Sequence, residues 1–170
     1  MTAIVTVSLV ACGGGSSGTS GTPGAAGAGG TGAALSDAQI ERLAATYTTF
    51  DKMNAKPFVT AQHQGNAMVN VYANAVAADT YRTVAPTSTN AHFPEGSMLV
   101  KEMLDANGGK PVLTVMYKLP PGYDTQHGDW WRGRLSVDGS PTSPELVGKV
   151  GFCISCHEAA SATDHAYGLP

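Results

Sequence analysis

The segment Met98–Leu104, with the sequence MLVKEML, predicts a β-strand at the centre of the fold. A turn at residues 94–97 precedes it, and Asn107-Gly108-Gly109 behind it is a hairpin signal. Three further strands are predicted at 67–72, 112–119 and 130–137. Because short turns join successive strands, antiparallel pairing is favoured. We therefore predict an α+β fold with a four- to five-stranded antiparallel sheet flanked by helices.

Three helices are expected around this sheet. Ser36 and Gln39 form a capping box at the start of the first helix, which apolar residues at helical spacing extend to an end near 51–54. A second, short helix is predicted at 75–82. The last helix is predicted to begin at 144 and to carry the C-terminal motif described next.

Residues 153–157 read Cys-Ile-Ser-Cys-His, a C-x-x-C-H run typical of c-type haem attachment. Two intervening residues make roughly one helical turn, so both thiols can reach the same edge of a porphyrin. The histidine that follows can offer a ring nitrogen to iron. The motif thus predicts one covalent haem c per chain, bound by Cys153, Cys156 and His157, with His157 as the metal ligand.

Three other functions are compatible with this pair of cysteines: half of a zinc site, a redox-active dithiol and a plain disulfide. A structural zinc site needs about four ligands, and the third cysteine, Cys12, stands at the far end of the chain. A thioredoxin-like dithiol would follow a strand in a βαβ unit, which the pattern does not contain. A disulfide or a redox dithiol remains the main alternative.

The 170 residues divide into three parts. Residues 1–12 are an apolar run too short to span a bilayer, and their end, LVAC, resembles a bacterial lipobox. This predicts lipidation of Cys12 and an exported, lipid-anchored bacterial protein in the periplasm or on the outer cell surface. A positively charged leader is missing, so a chance apolar start with an unmodified cysteine is the alternative.

Residues 13–34 consist almost wholly of Gly, Ser, Thr and Ala, which predicts a flexible tether. Residues 35–170 are predicted to form one globular domain. The net charge of −3 gives no reason to expect a nucleic acid, and it predicts contact with a membrane only through the lipid anchor.

Residues 93–103, FPEGSMLVKEM, followed by two strands and the C-terminal C-x-x-C-H, resemble the cytochrome P-460 and cytochrome c′-beta family. The similarity runs from about residue 57 to residue 157. It implies a β-rich haem protein, usually a homodimer. It also implies a five-coordinate iron with His157 as the proximal ligand and an open distal face.

The two branches of the family imply different chemistry. In the P-460 branch a strand lysine, matched here by Lys101, bonds to the porphyrin, and hydroxylamine is oxidised at the iron. In the c′-beta branch no crosslink forms, and nitric oxide binds in an apolar pocket. The hydroxylamine-oxidising members carry a distal glutamate, whose position matches this chain near Leu119, where no carboxylate stands. Enzymatic activity is therefore left open.

Three functions follow as hypotheses: an oxidoreductase of the hydroxylamine type, a non-enzymatic binder of nitric oxide or similar gases, and a six-coordinate electron carrier. A redox partner cytochrome is expected for an oxidoreductase or a carrier. Four further histidines could supply a sixth iron ligand, although each alone is more typical of a loop or surface. They are His63, His92, His127 and His165.

Several strand residues allow two interpretations. Lys101 either faces the haem or is a lysine at the sheet margin, extended to solvent or ion-paired. The methionines at 98, 103 and 116 are interpreted as packing residues. Trp130 and Trp131 are adjacent, so they must point to opposite faces of their strand. Arg132 and Arg134 either pair with haem propionates or lie on a solvated face.

Overall fold

A computed structural model describes residues 34–60, 63, 67–105 and 110–170. The predictions for Cys12, for residues 13–33 of the tether and for the turn at 107–109 lie outside these ranges. Within them, the fold is built on an antiparallel sheet with three α-helices. None of the helices in these ranges is long and apolar enough to cross a membrane.

The sheet of the described residues has seven strands. They are β1 (Asp51–Lys52), β2 (Phe58–Thr60), β3 (Ala67–Ala73), β4 (Met98–Leu104), β5 (Val112–Lys118), β6 (Trp130–Ser136) and β7 (Val147–Gly148). Their order is β1-β3-β4-β5-β6-β7, and β2 also pairs with β3. The four long strands confirm the prediction, and β4 lies between β3 and β5 as its apolar sequence requires. The three short strands were not predicted, since two or three residues carry no periodic signal.

The helices are α1 (Asp37–Ala44), α2 (Ala75–Thr83) and α3 (Gly151–His157). At the start of α1, the Gln39 side-chain oxygen accepts a hydrogen bond of 2.9 Å from the Ser36 backbone N–H, which confirms the capping box. The prediction that α1 extends to 51–54 is wrong. The helix ends at Ala44 because the chain next forms a 3₁₀ turn and then enters β1, which pairs with β3.

The prediction that the last helix begins at 144 is also wrong. Pro144–Leu146 is a 3₁₀ turn, and Val147–Gly148 then pairs with β6. Gly148 has a φ of +91°, which a right-handed helix does not allow. The α-helix therefore begins only at Gly151, and its seven residues include the whole C-x-x-C-H run.

The two faces of the sheet bury different cores. One face packs under α1, with Ile40, Leu113 and Trp131 fully buried. The other face packs against α2 and the C-terminal residues, with Val71 and Trp130 buried there. Trp130 and Trp131 thus lie on opposite faces, as their adjacency predicted. The second face also carries the cavity described below.

Candidate functional site

A cavity of about 390 Å³ is open between strands β3 to β6 and helix α3. Strand residues at its wall include Lys101, Thr114 and Arg134, and α3 contributes Cys153, Cys156 and His157. Lys101 and Thr114 are direct partners in the β4–β5 register, so their side chains leave the sheet on the same side. The cavity falls within the usual range of cofactor sites, about 300–1,000 Å³.

His157 is held in one tautomer by the chain that follows α3. Its ring Nδ1 lies 2.6 Å from the backbone oxygen of His165. A carbonyl can only accept, so Nδ1 carries the proton and donates, and Nε2 keeps a free lone pair. The pKa of His157 is lowered to about 4, chiefly by burial and in smaller part by the Lys101 and Arg132 cations, against the opposing effect of that hydrogen bond. The imidazole is therefore neutral at neutral pH, as a metal ligand must be.

Cys153 and Cys156 are free thiols one helical turn apart, so the structure holds no disulfide between them. Cys153 is half-buried and Cys156 is exposed. Burial raises the pKa of the Cys153 thiol. In the described ranges, no group of three or more His, Cys, Asp or Glu side chains converges as a site for a bare metal ion. The zinc interpretation thus has no second pair of ligands there.

Lys101 lies in the wall of the cavity, with its Nζ 5.6 Å from the centroid of the Tyr167 ring. Burial lowers the pKa of Lys101 from 10.5 to about 8. A solvated lysine at the sheet margin would keep an ordinary pKa. The structure therefore favours the cavity-facing interpretation.

Arg132 and Arg134 lie at the wall of the cavity, and Leu119 lies away from it. Arg134 lines the cavity, and Arg132 does so while only 1% exposed, so a solvated face is wrong for Arg132. Arg132 donates to the carbonyls of Trp130 and His127 at 3.0 and 3.2 Å, and its buried Nε has no partner in the described structure. Leu119 belongs to the core under α1, on the other side of the sheet from the cavity.

Of the four candidate histidines, His63 alone has a side chain among the described lining residues of the cavity. Burial lowers its pKa to about 4, with Lys101 and Arg134 adding to the effect. His127 is instead bonded to Asp124, with Nδ1 and Oδ1 2.8 Å apart. Met103 and Met116 also line the cavity, whereas Met98 is packed in the core under α1.

Two contributors to the site had no signal in the sequence: Tyr167, and the His165 carbonyl. The tail after His157 lacks periodicity, yet it folds back so that the Tyr167 hydroxyl donates to the Cys156 carbonyl at 2.7 Å. The His157 and Tyr167 rings meet edge to face, with centroids 5.3 Å apart. No local sequence pattern in the tail predicts these contacts, because they depend on how the tail packs against α3 in the folded protein.

Replacing Lys101 with methionine is expected to stabilise the haem-free chain at pH 7. A pKa lowered from 10.5 to about 8 means that burial of the charged amine costs up to about 3 kcal/mol. Between pH 8 and 10.5 the unfolded chain binds more protons than the folded one, so wild-type stability rises with pH there. The advantage of Lys101→Met should shrink across that window in urea unfolding. An equal gain from Lys56→Met, on an exposed lysine, would contradict the assignment.

Two free thiols, a neutral imidazole and a cavity of cofactor size, all meeting at one helix on a sheet face, define a haem-binding class of protein. The particular family follows from comparison with known proteins. Residues 44–168 match the family model Cytochrome P460, so the chain belongs to the cytochrome P460 family, and this membership implies haem binding and iron. No curated protein matches the chain.

Proposed function

We propose that the cavity binds one haem c, which Cys153 and Cys156 would hold through thioether bonds and Nε2 of His157 would hold as an iron ligand. The observation that carries this proposal is the placement of all three side chains on the helix that walls the cavity. When bound, a haem supplies a redox-active iron that can coordinate small ligands. The donor set suits it, because the imidazole is neutral and its Nδ1 proton is already engaged by the His165 carbonyl.

Attachment needs no oxidant. Each thiol adds across one vinyl group, so that a C–S bond forms at one carbon and the thiol hydrogen goes to the other. The spacing of one helical turn presents both sulfurs to neighbouring vinyl groups. The haem edge opposite the thioethers carries two carboxylates, for which Arg134 and Lys110 at the cavity wall are available cations.

The ligand class we propose is small nitrogen species, nitric oxide foremost. The sheet wall of the cavity is mainly apolar, with Val71, Leu99 and Met116 beside Thr114. Within the described ranges, the carboxylate that lines the cavity is Asp105, whose residue is exposed to solvent. A diatomic ligand needs no proton acceptor, whereas loss of a positioned base typically reduces proton-transfer catalysis about 10²–10⁴-fold. Binding of nitric oxide is thus favoured over oxidation of hydroxylamine.

His63 is the observation that supports a second candidate, a six-coordinate electron carrier. It lines the same cavity as His157, and its low pKa keeps its imidazole neutral and able to coordinate. Two imidazoles on one iron would close the distal face to gases. The two candidates therefore predict different spin states.

An absorption spectrum of the reduced protein, followed by titration with nitric oxide, separates these candidates. An open site is expected to give a high-spin spectrum, stoichiometric binding of nitric oxide, and a His63→Ala variant with an unchanged spin state. A sharp low-spin spectrum that becomes high-spin in His63→Ala would establish the electron carrier instead. His92→Ala is the matched control, because His92 does not line the cavity.

Lys101 is proposed to contact the porphyrin edge, where its lowered pKa would raise the fraction of the neutral, nucleophilic amine above that of an ordinary lysine. A crosslink would replace one amine N–H and one porphyrin C–H by a C–N bond, with the two hydrogens passing to a peroxide, which is reduced to two waters. The haem-bearing peptide would then be two hydrogens lighter than the sum of its parts and would include Lys101. If the haem-bearing peptide does not include Lys101, then Lys101 is not crosslinked to the porphyrin.

We further propose that the chain is exported, lipid-anchored through Cys12 and held above the membrane by residues 13–34. The support is the lipobox-like LVAC sequence together with a haem motif. A homodimer and a redox partner cytochrome complete the proposal. Labelling with a fatty acid, lost in Cys12→Ser, tests the anchor, and light scattering of the purified protein tests the dimer.

A further inference from the structure

We propose that Asp164 is a positioning residue for the His157 imidazole, acting through the backbone carbonyl of His165. The proposal rests on the role of His157 as axial ligand given above. It adds a residue outside the haem motif, anchored by Lys118 and Phe93 from distant parts of the chain, that sets the donor strength of that ligand.

Asp164 is fixed from three sides. Its two carboxylate oxygens receive the Lys118 Nζ at 2.6 and 2.7 Å, and Oδ2 also receives the Phe93 N–H at 2.9 Å. Its backbone oxygen accepts the Trp130 indole N–H at 2.7 Å. The ion pair is buried, with the Lys118 and Asp164 side chains 14% and 8% exposed. Breaking either partner would leave a buried charge unpaired, so the arrangement is held firmly.

These anchors hold a backbone turn that the chain would not otherwise prefer. Asp164 and His165 have φ values of +53° and +62°, both in the left-handed region that costs non-glycine residues about 1 kcal/mol or more each. The turn places the His165 oxygen 2.6 Å from Nδ1 of His157. Gly128 closes against the same turn, since a Cβ there would lie 2.6 Å from Oδ1 of Asp164. The direction of the His165 carbonyl is thus held by Asp164 and its partners, together with the backbone hydrogen bond from the His165 N–H to the Ala160 carbonyl at 2.8 Å.

The hydrogen bond from Nδ1 matters for the opposite side of the ring. Donation of that proton to a carbonyl raises the basicity of Nε2, and a stronger imidazole donor favours ferric over ferrous iron. A looser turn would lengthen the hydrogen bond and weaken the donor. The reduction potential of the haem would then rise, and the Fe–His stretching frequency of the ferrous protein would fall.

Two variants of the full haem-loaded chain separate positioning from simple charge. Asp164→Asn removes a negative charge, and Lys118→Met removes a positive one, so charge alone would shift the potential in opposite directions. Positioning predicts that both variants raise it and that both lower the Fe–His frequency. By comparison with other outer-shell partners of metal ligands, we expect about a tenfold fall in the ferric-to-ferrous ratio at fixed ambient potential, which is about 59 mV.

Asp51→Asn is the matched control, because it breaks another ion pair, that of Asp51 with Arg82 at 2.6 Å, on the exposed surface. Opposite shifts of potential with an unchanged Fe–His frequency would overturn the proposal. So would no shift in either variant, or an equal shift in the control. If Asp164→Asn does not fold, the reduction potential and the Fe–His frequency of Lys118→Met alone test the proposal. The proposed function fails separately, if His157→Ala leaves the Fe–His signal in place.

Discussion

Replacing both Cys153 and Cys156 with serine is expected to abolish the thioether attachment of haem completely. The wild-type chain should keep its haem after denaturation and extraction with acidified organic solvent. The double variant, made in a Lys101→Met background so that no lysine crosslink can hold the haem, should release all of it. The reason is chemical, since a serine hydroxyl does not add to a vinyl group as a thiol does. His157 would remain, so native protein could still bind haem by coordination alone. Each single variant should keep one thioether and retain its haem through the extraction.

Cys12→Ser and Ser155→Ala are the matched controls for this experiment. The first removes the third thiol of the chain. The second changes a residue inside the motif whose hydroxyl donates to the Gly151 carbonyl at 3.0 Å. Both should retain haem as the wild type does. Haem that stays attached to the double serine variant in the Lys101→Met background, or is lost from Cys12→Ser, would contradict the assignment of the two cysteines.

Trp131→Ala is expected to cause a large loss of stability. The Trp131 ring is fully buried under α1, and its indole N–H donates to Oδ1 of Asp37 at 2.9 Å. Gly133 leaves room for the ring, since a Cβ there would lie 2.5 Å from it. Truncation of a buried tryptophan costs about 3–5 kcal/mol, a large share of the 5–15 kcal/mol of a typical domain. Urea unfolding of the haem-free chain measures the difference.

Trp131→Phe is the control that separates packing from the hydrogen bond. It keeps a six-membered aromatic ring and loses the pyrrole part of the indole with the N–H donated to Asp37, so a cost of about 1–2 kcal/mol is expected, well below that of Trp131→Ala. If the unfolding free energy of Trp131→Ala lies within about 1 kcal/mol of the wild-type value, the core under α1 does not hold the helix to the sheet.

The long strands could be predicted from the sequence because their signals are local. Seven-residue segments such as Met98–Leu104 carry enough apolar and β-branched residues, between clear turns, to define a strand. The short strands could not be predicted, since β1 and β7 exist only because a neighbouring strand offers them backbone partners. The same pairing shortened α1 and delayed the start of α3. Tertiary contacts overrode helical spacing at both places.

The ligand set of the site was predictable and its supports were not. The cysteines and His157 belong to one contiguous motif, which a sequence displays directly. Lys101 emerged from a resemblance, and its depressed pKa depends on burial, which no sequence pattern reports. Asp164 is distant in sequence from Lys118 and from Phe93, and its role appears only once three separate parts of the chain meet. A contiguous motif thus identifies the haem-binding side chains, whereas the hydrogen bonds that orient them form between residues far apart in sequence.

Mass spectrometry of the exported protein after denaturation and proteolysis tests the central claim most directly. The peptide that contains residues 153–157 should carry the mass of one haem, formed by addition of both thiols without loss of atoms. Its absorption in alkaline pyridine should be that of a haem with both vinyl groups saturated. A peptide of unmodified mass, or one joined by a disulfide between Cys153 and Cys156, would contradict the account.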